Sequence, residues 1–180
     1  MKNTFFIFAM LFFSISTYSH QIEKLELKST GIEPAIITLD STYTSTIIYK
    51  RIKEWIQTYY KNPAEVLKAD MENKNIRIDG YNENGMMHKS LGVNTPIGIE
   101  YSLDIDIKDG RYRLTFSINR MVCGYSDCLY TTASFFKKDG SINEKWYGTD
   151  VLTINNSMNQ VSLSLYKYII GETTKKKSDW

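Results

Sequence analysis

Histidine and cysteine are scarce in this chain, two of each among 180 residues: His20, His88, Cys123 and Cys128. A metal site built on those side chains would need further ligands of the same kind. A serine or cysteine nucleophile would have to take its proton-accepting partner from His88 alone. Charge of one sign is lacking as well. Lysine and arginine number 22 against 20 aspartates and glutamates, and the one concentrated run is Lys175 to Lys177. So near a balance excludes a general polyanion-binding surface, and with it a nucleic-acid partner. Proline, present three times, serves only as punctuation between segments.

What is there begins with residues 1–19, MKNTFFIFAMLFFSISTYS. One lysine, Lys2, precedes an apolar core from Phe5 to Phe13, and Thr17 and Ser19 stand at the −3 and −1 positions of a cleavage site. This is the pattern of a signal peptide, and its core is shorter than the roughly 20 residues a bilayer span needs. The sequence therefore predicts a periplasmic or secreted protein, not membrane-spanning after signal cleavage, with one α+β domain over residues 20–172 and a polar tail over 173–180. A mature length of roughly 160 residues suits one buried core. In an oxidising compartment Cys123 and Cys128, which enclose Gly-Tyr-Ser-Asp, are expected to form a disulfide. Their spacing is not that of a redox-active C-x-x-C pair.

Within the domain the strongest signal is Thr46 to Tyr60, TIIYKRIKEWIQTYY, where Ile48, Ile52, Trp55, Ile56 and Tyr59 recur at helical spacing. Thr44 or Ser45 is its N-cap candidate, and Asn62-Pro63 ends it. Ile22, Leu25 and Leu27 suggest an extended arm ahead of it, and Ala35 to Leu39 a first strand. Glu65 to Asp70 and Asn75 to Tyr81 read as a hairpin. From Ile99 to Ile107 apolar and polar residues alternate strictly, and Asp109-Gly110 is the dipeptide of a two-residue type I′ turn. That turn would pair Lys108 with Arg111, Ile105 with Leu114, Leu103 with Phe116 and Tyr101 with Ile118 on one apolar face, and Asp106 with Arg113 on the wet one. Leu129 to Phe136 reads as a further strand, and Leu152 to Ile170 as a second amphipathic helix ended by Gly171. The stretch Asn82 to Gly98 loses periodicity and gathers Gly85, Gly92, Pro96 and Gly98, so it reads as a long loop.

The order of these elements, with Tyr49, Trp55 and Ile56 in the helix ahead of Asn62-Pro63, resembles a family of exported bacterial domains of unknown function with a TBP-like fold, over about Ile36 to Ile118. The resemblance implies a curved antiparallel sheet with helices packed on one face, in the order β-α-β-β-β-β-α; the Cys123 to Cys128 loop, with room for an extra strand, departs from that pattern. It brings no activity, no cofactor and no site residues.

The residues themselves offer three readings. The first is a non-catalytic binding or accessory module for an envelope or extracellular protein or a small ligand, whose contact region is the 82–98 loop with the cysteine loop, through His88, Lys89 and Tyr125. The second is a copper protein, in which the amine and imidazole of an N-terminal His20 join His88. The third is a hydrolase using His88 as base. Asp104 and Asp106 face arginines and read as a solvated, internally paired strand face. The tyrosines, Tyr59, Tyr60, Tyr81 and Tyr101 among them, would suit a partner- or sugar-binding surface, although periodicity assigns several of them to the core.

Overall fold

The computed structural model describes residues 23–124, 126–128 and 131–172. The signal segment, His20, Ile22, Tyr125 and the tail 173–180 lie outside the described residues. In chain order the elements are β1 (Leu27–Lys28), β2 (Gly31–Ile32), β3 (Ala35–Thr38), α1 (Ser45–Tyr59), α2 (Pro63–Val66), β4 (Leu67–Met71), β5 (Asn75–Ser90), β6 (Val93–Lys108), β7 (Arg111–Cys123), β8 (Ser126–Asp127), a 3-10 turn (Thr132–Phe135) and α3 (Glu144–Ile170).

Strict alternation in β6 and β7 leaves one register that buries both apolar sets, because a slip by one residue would turn each set to water. That register forms: Lys108 pairs with Arg111, Ile105 with Leu114, Leu103 with Phe116, Tyr101 with Ile118 and Asp106 with Arg113. The antiparallel sheet runs in the order β3-β7-β6-β5-β4, and β8 adds to β7 as the extra strand. Helix α1 begins where the Thr44 hydroxyl accepts the N–H of Ile47. Its stripe of Ile48, Ile52, Trp55 and Ile56 is buried. Beside α1 lies α3, which buries Val151, Ile154, Met158, Val161, Leu165 and Ile169, so two helices cover one face of the sheet. The indole of Trp55 donates to the Ser164 hydroxyl at 3.1 Å and ties the two helices together. None of the helices among the described residues is long and apolar enough to cross a membrane.

The arm ahead of β3 docks by an unusual pairing. Asn159 accepts the Leu25 N–H at 3.0 Å and donates to its carbonyl at 2.8 Å, while Asn155 accepts the Leu27 N–H at 2.8 Å. Side-chain amides four residues apart on α3 thus stand in for a neighbouring strand, and Leu25 and Leu27 fall into the core.

Five expectations need correction. The stretch from Asn82 to Gly98 is not a loop: β5 and β6 pair from Asn82–Ile99 and Met86–Ile97 out to Ser90–Val93, with a bulge between Asn82 and Met86. Its glycines permit close approach instead of breaking the strands. A Cβ on Gly98 would collide with the Tyr81 ring, and one on Gly85 would sit 2.8 Å from Ile99 Cβ. The Asp109-Gly110 turn sets the register without being type I′. That turn needs positive φ at both residues, and among the described residues only Asn73 and Leu91 have it outside glycine. Asp109 instead accepts the Ser45 N–H at 2.6 Å and so anchors the start of α1. In the expected strand Leu129 to Phe136, residues 132–135 form a 3-10 turn, while Leu129 and Tyr130 lie outside the described residues. Helix α3 starts at Glu144 and not at Leu152: its first two turns, which carry exposed Trp146, already put Tyr147 and Val151 against the core. The expected strand from Glu65 begins two residues later, after the short α2 that Pro63 opens.

Candidate functional site

Beyond the bulge, β5 has lost β4 as a neighbour, and an unpaired strand edge must be covered. Helix α3 covers it with polar side chains one turn apart. Asn82 donates to the Ser157 hydroxyl at 2.8 Å, the Met87 N–H donates to the Thr153 hydroxyl at 2.9 Å, and His88 Nδ1 lies 2.6 Å from Asp150 Oδ2. Asp150, Thr153 and Ser157 stand at helical positions i, i+3 and i+7, on one face of α3. The Asp150 side chain is 1% exposed and that of His88 26%. The second Asp150 oxygen, Oδ1, is buried with no hydrogen-bond partner among the described residues. The His88 ring also lies 6.4 Å from that of Tyr147, which packs on Phe135.

Past this clamp the two strands leave the body. All residues from Lys89 to Pro96 are exposed. The tip is Leu91-Gly92, both with positive φ, 49° and 83°, which is the backbone of a two-residue I′ turn. Asn-Gly suits such a turn, whereas leucine pays about 1–2 kcal/mol in left-handed geometry. Leu91 is also fully solvated, and Val93 behind it is 63% exposed. The disulfide turn lies at the root of this ribbon, because Gly98 pairs with Val122 next to Cys123. Cys123 and Cys128 are bonded, with their Cα atoms 5.1 Å apart, so neither offers a thiol.

Of the residues the sequence nominated, His88 and Lys89 stand on β5 and Cys123 is bonded to Cys128 at the root of the ribbon. His88 faces α3 and Lys89, its neighbour, points to the other face of the ribbon. Tyr125 and His20 lie outside the described residues. No group of three or more His, Cys, Asp or Glu side chains positioned for a metal occurs among the described residues. Sequence reasoning missed Asp150, Thr153 and Leu91. Asp150 is the one charged residue of α3 between Lys145 and Lys167, and that was the available signal.

On the open face of the sheet, acidic and basic side chains interleave. Arg113 donates to Asp106 at 2.6 Å, and this bond, with help from Asn75, holds the Asp106 carboxyl below the usual range. Ser102, 3% exposed, accepts from Asn119 and Arg77 and donates to Asp79. Arg120 joins Glu100 and Asp127.

Residues 36–120 match the model of a domain of unknown function (DUF4468) with a TBP-like fold. Over that segment, just under half of its length, the chain is similar to the DUF4468 family. Its fold is shared with a DUF4468 family protein from Bacteroides ovatus, at 10% identity and a TM-score of 0.55, with 88% of this chain and 94% of that one aligned. A TBP-like protein from Parabacteroides distasonis aligns at 11% identity and a TM-score of 0.55, over 77% of this chain and 91% of that one. Comparison with curated proteins finds no match. At such identities the likeness carries the fold and no activity. The family match ends at residue 120, so the cysteine turn and α3, which clamps β5, lie past it.

Proposed function

We propose that this chain is an exported, non-catalytic binding module that docks a protein partner of the cell envelope through the β5–β6 ribbon. The observation that carries the reading is Leu91: a fully solvated leucine in left-handed geometry at the tip of an otherwise exposed ribbon. Strain and apolar exposure together cost stability in the free protein, and such a cost is kept where a contact recovers it. Export is supported by the pattern of residues 1–19 and by the disulfide, which suits an oxidising compartment. The interleaved charges of the open sheet face argue against nucleic acid, which needs a one-signed basic surface.

The rival readings rest on His88. Its Nδ1 is committed to a buried carboxyl, which gives the ring a structural task and takes one nitrogen from any copper site shared with His20. The test places a photo-crosslinking residue at position 93 and irradiates intact cells of the source organism. A discrete crosslinked species that disappears in Leu91→Asn supports the reading. An identical crosslinking pattern in wild type and variant removes it, and N-terminal sequencing of the exported protein checks cleavage after Ser19.

A further inference from the structure

The C-terminal end of α1 carries a second feature, distant in sequence from the ribbon. Tyr59 completes the apolar stripe by spacing, yet it is 42% exposed while the other members are buried. Its ring stacks on Trp55 at 4.8 Å, and Tyr60 stands edge-on at 5.0 Å from Tyr59 and 5.6 Å from Trp55. Three nearly equal separations place Tyr60 beside the stack. Were it on the far face of Tyr59, its distance from Trp55 would approach twice the stacking distance. The outer face of Tyr59 is therefore clear of both rings, and Trp55 holds it rigid from behind.

Tyr59 opens on a groove of about 620 Å³ that also takes in Tyr60, Tyr101, Asn62, Glu65 and Glu83, a size within the range of small-ligand sites. Tyr60 and Tyr101 share one hydrogen bond between their hydroxyls at 2.9 Å. Two hydroxyls carry two hydrogens and that bond consumes one, so one O–H remains for an acceptor in the groove. Tyr101 is 6% exposed, held by Gly80, where a Cβ would come 2.5 Å from its ring. In the same lining, Asn62 donates to Glu65 at 3.1 Å, so a planar amide and a planar carboxylate stand side by side. The groove thus joins one preorganised apolar plane to a hydroxyl donor and to paired planar donors and acceptors.

We propose that this groove binds a neutral sugar ring, its C–H face laid on Tyr59 and its hydroxyls exchanged with the Tyr60–Tyr101 pair and with Asn62 and Glu65. A pyranose has one flat apolar face and a rim of vicinal hydroxyls, each both donor and acceptor, and that is the complement of this lining. A cation would use Tyr59 and the two glutamates and would leave the spare hydroxyl hydrogen without an acceptor. The site is independent of the ribbon, so variants at Leu91 leave it intact.

The test titrates the mature protein with cellotetraose, maltotetraose and the N-acetylglucosamine tetramer, with choline as the cationic control, following tryptophan fluorescence and saturation-transfer NMR. At least one tetramer is expected to bind. Tyr59→Ala should weaken it about tenfold or more and Tyr101→Phe, which keeps the ring, about threefold to tenfold, with circular dichroism and melting confirming the fold of each variant. Binding of choline alone, binding of a tetramer unchanged in folded Tyr59→Ala, or no response to any tetramer at 10 mM overturns the proposal.

Discussion

The His88–Asp150 pair holds the ribbon to α3, and its removal from either side should cost unequal amounts. His88→Ala leaves the Asp150 carboxyl, 1% exposed, with neither oxygen partnered among the described residues, because Oδ1 has no partner there even with His88 in place. A lost hydrogen bond to a group of this kind and the unrecovered desolvation together amount to about 2–3 kcal/mol. Asp150→Ala should cost less, about 1 kcal/mol, since the orphan oxygen leaves with it and the His88 ring, a quarter exposed, can hydrate. The double variant should resemble Asp150→Ala, so the coupling should approach the whole cost of His88→Ala, about 2–3 kcal/mol. His88 also packs toward Tyr147, and the cycle separates that contribution from the pair. The assay is urea unfolding at constant pH, with unchanged m-values as the condition for comparing midpoints. Equal costs for the two single variants, or additive effects in the double, would refute a pair in which the buried carboxyl is the more expensive partner to strand.

Three further outcomes are expected. Leu91→Asn relieves left-handed strain at the ribbon tip and should raise stability by about 0.5–1 kcal/mol, seen as a higher unfolding midpoint; a lower one would mean that the turn differs from the one described. Burial raises Tyr101 to about 12 and pushes Tyr60 and Tyr112 up as well. A raised acid stabilises the fold below its unfolded value of about 10, and that stability is lost as pH climbs toward and past 12. Tyrosinate absorbance should therefore appear in two stages, the second coincident with loss of circular dichroism; a single early stage would contradict burial of these hydroxyls. Cys123 and Cys128, five positions apart, close a short loop, so reduction should cost at most about 2 kcal/mol and leave the sheet intact by amide exchange.

The bearing of sequence on structure differs from element to element. Alternation along Ile99 to Ile118 is a local property, and only one pairing hides both apolar sets, so the β6–β7 register was legible before any coordinates. The stripe of α1 and the end of α3 at Gly171, which adopts the left-handed cap at φ 82°, were legible for the same reason: period and cap are written in neighbouring residues. The two cysteines and their bridge were legible from their count.

What the chain folds into between Asn82 and Gly98 was not, because the meaning of a glycine depends on what lies across from it. Gly85 and Gly98 look like loop punctuation in one dimension and are landing places for Ile99 and Tyr81 in three. The same limit hides His88 and Asp150, 62 residues apart, and the groove at Tyr59, whose exposed face follows from where α1 ends relative to β5 and β6. Residue order determined which surfaces had to be buried and the spacing at which they repeat. Tertiary packing alone decided which polar groups meet, because contacts between distant segments arise only once the apolar faces have closed on each other and fixed the separations between what remains outside.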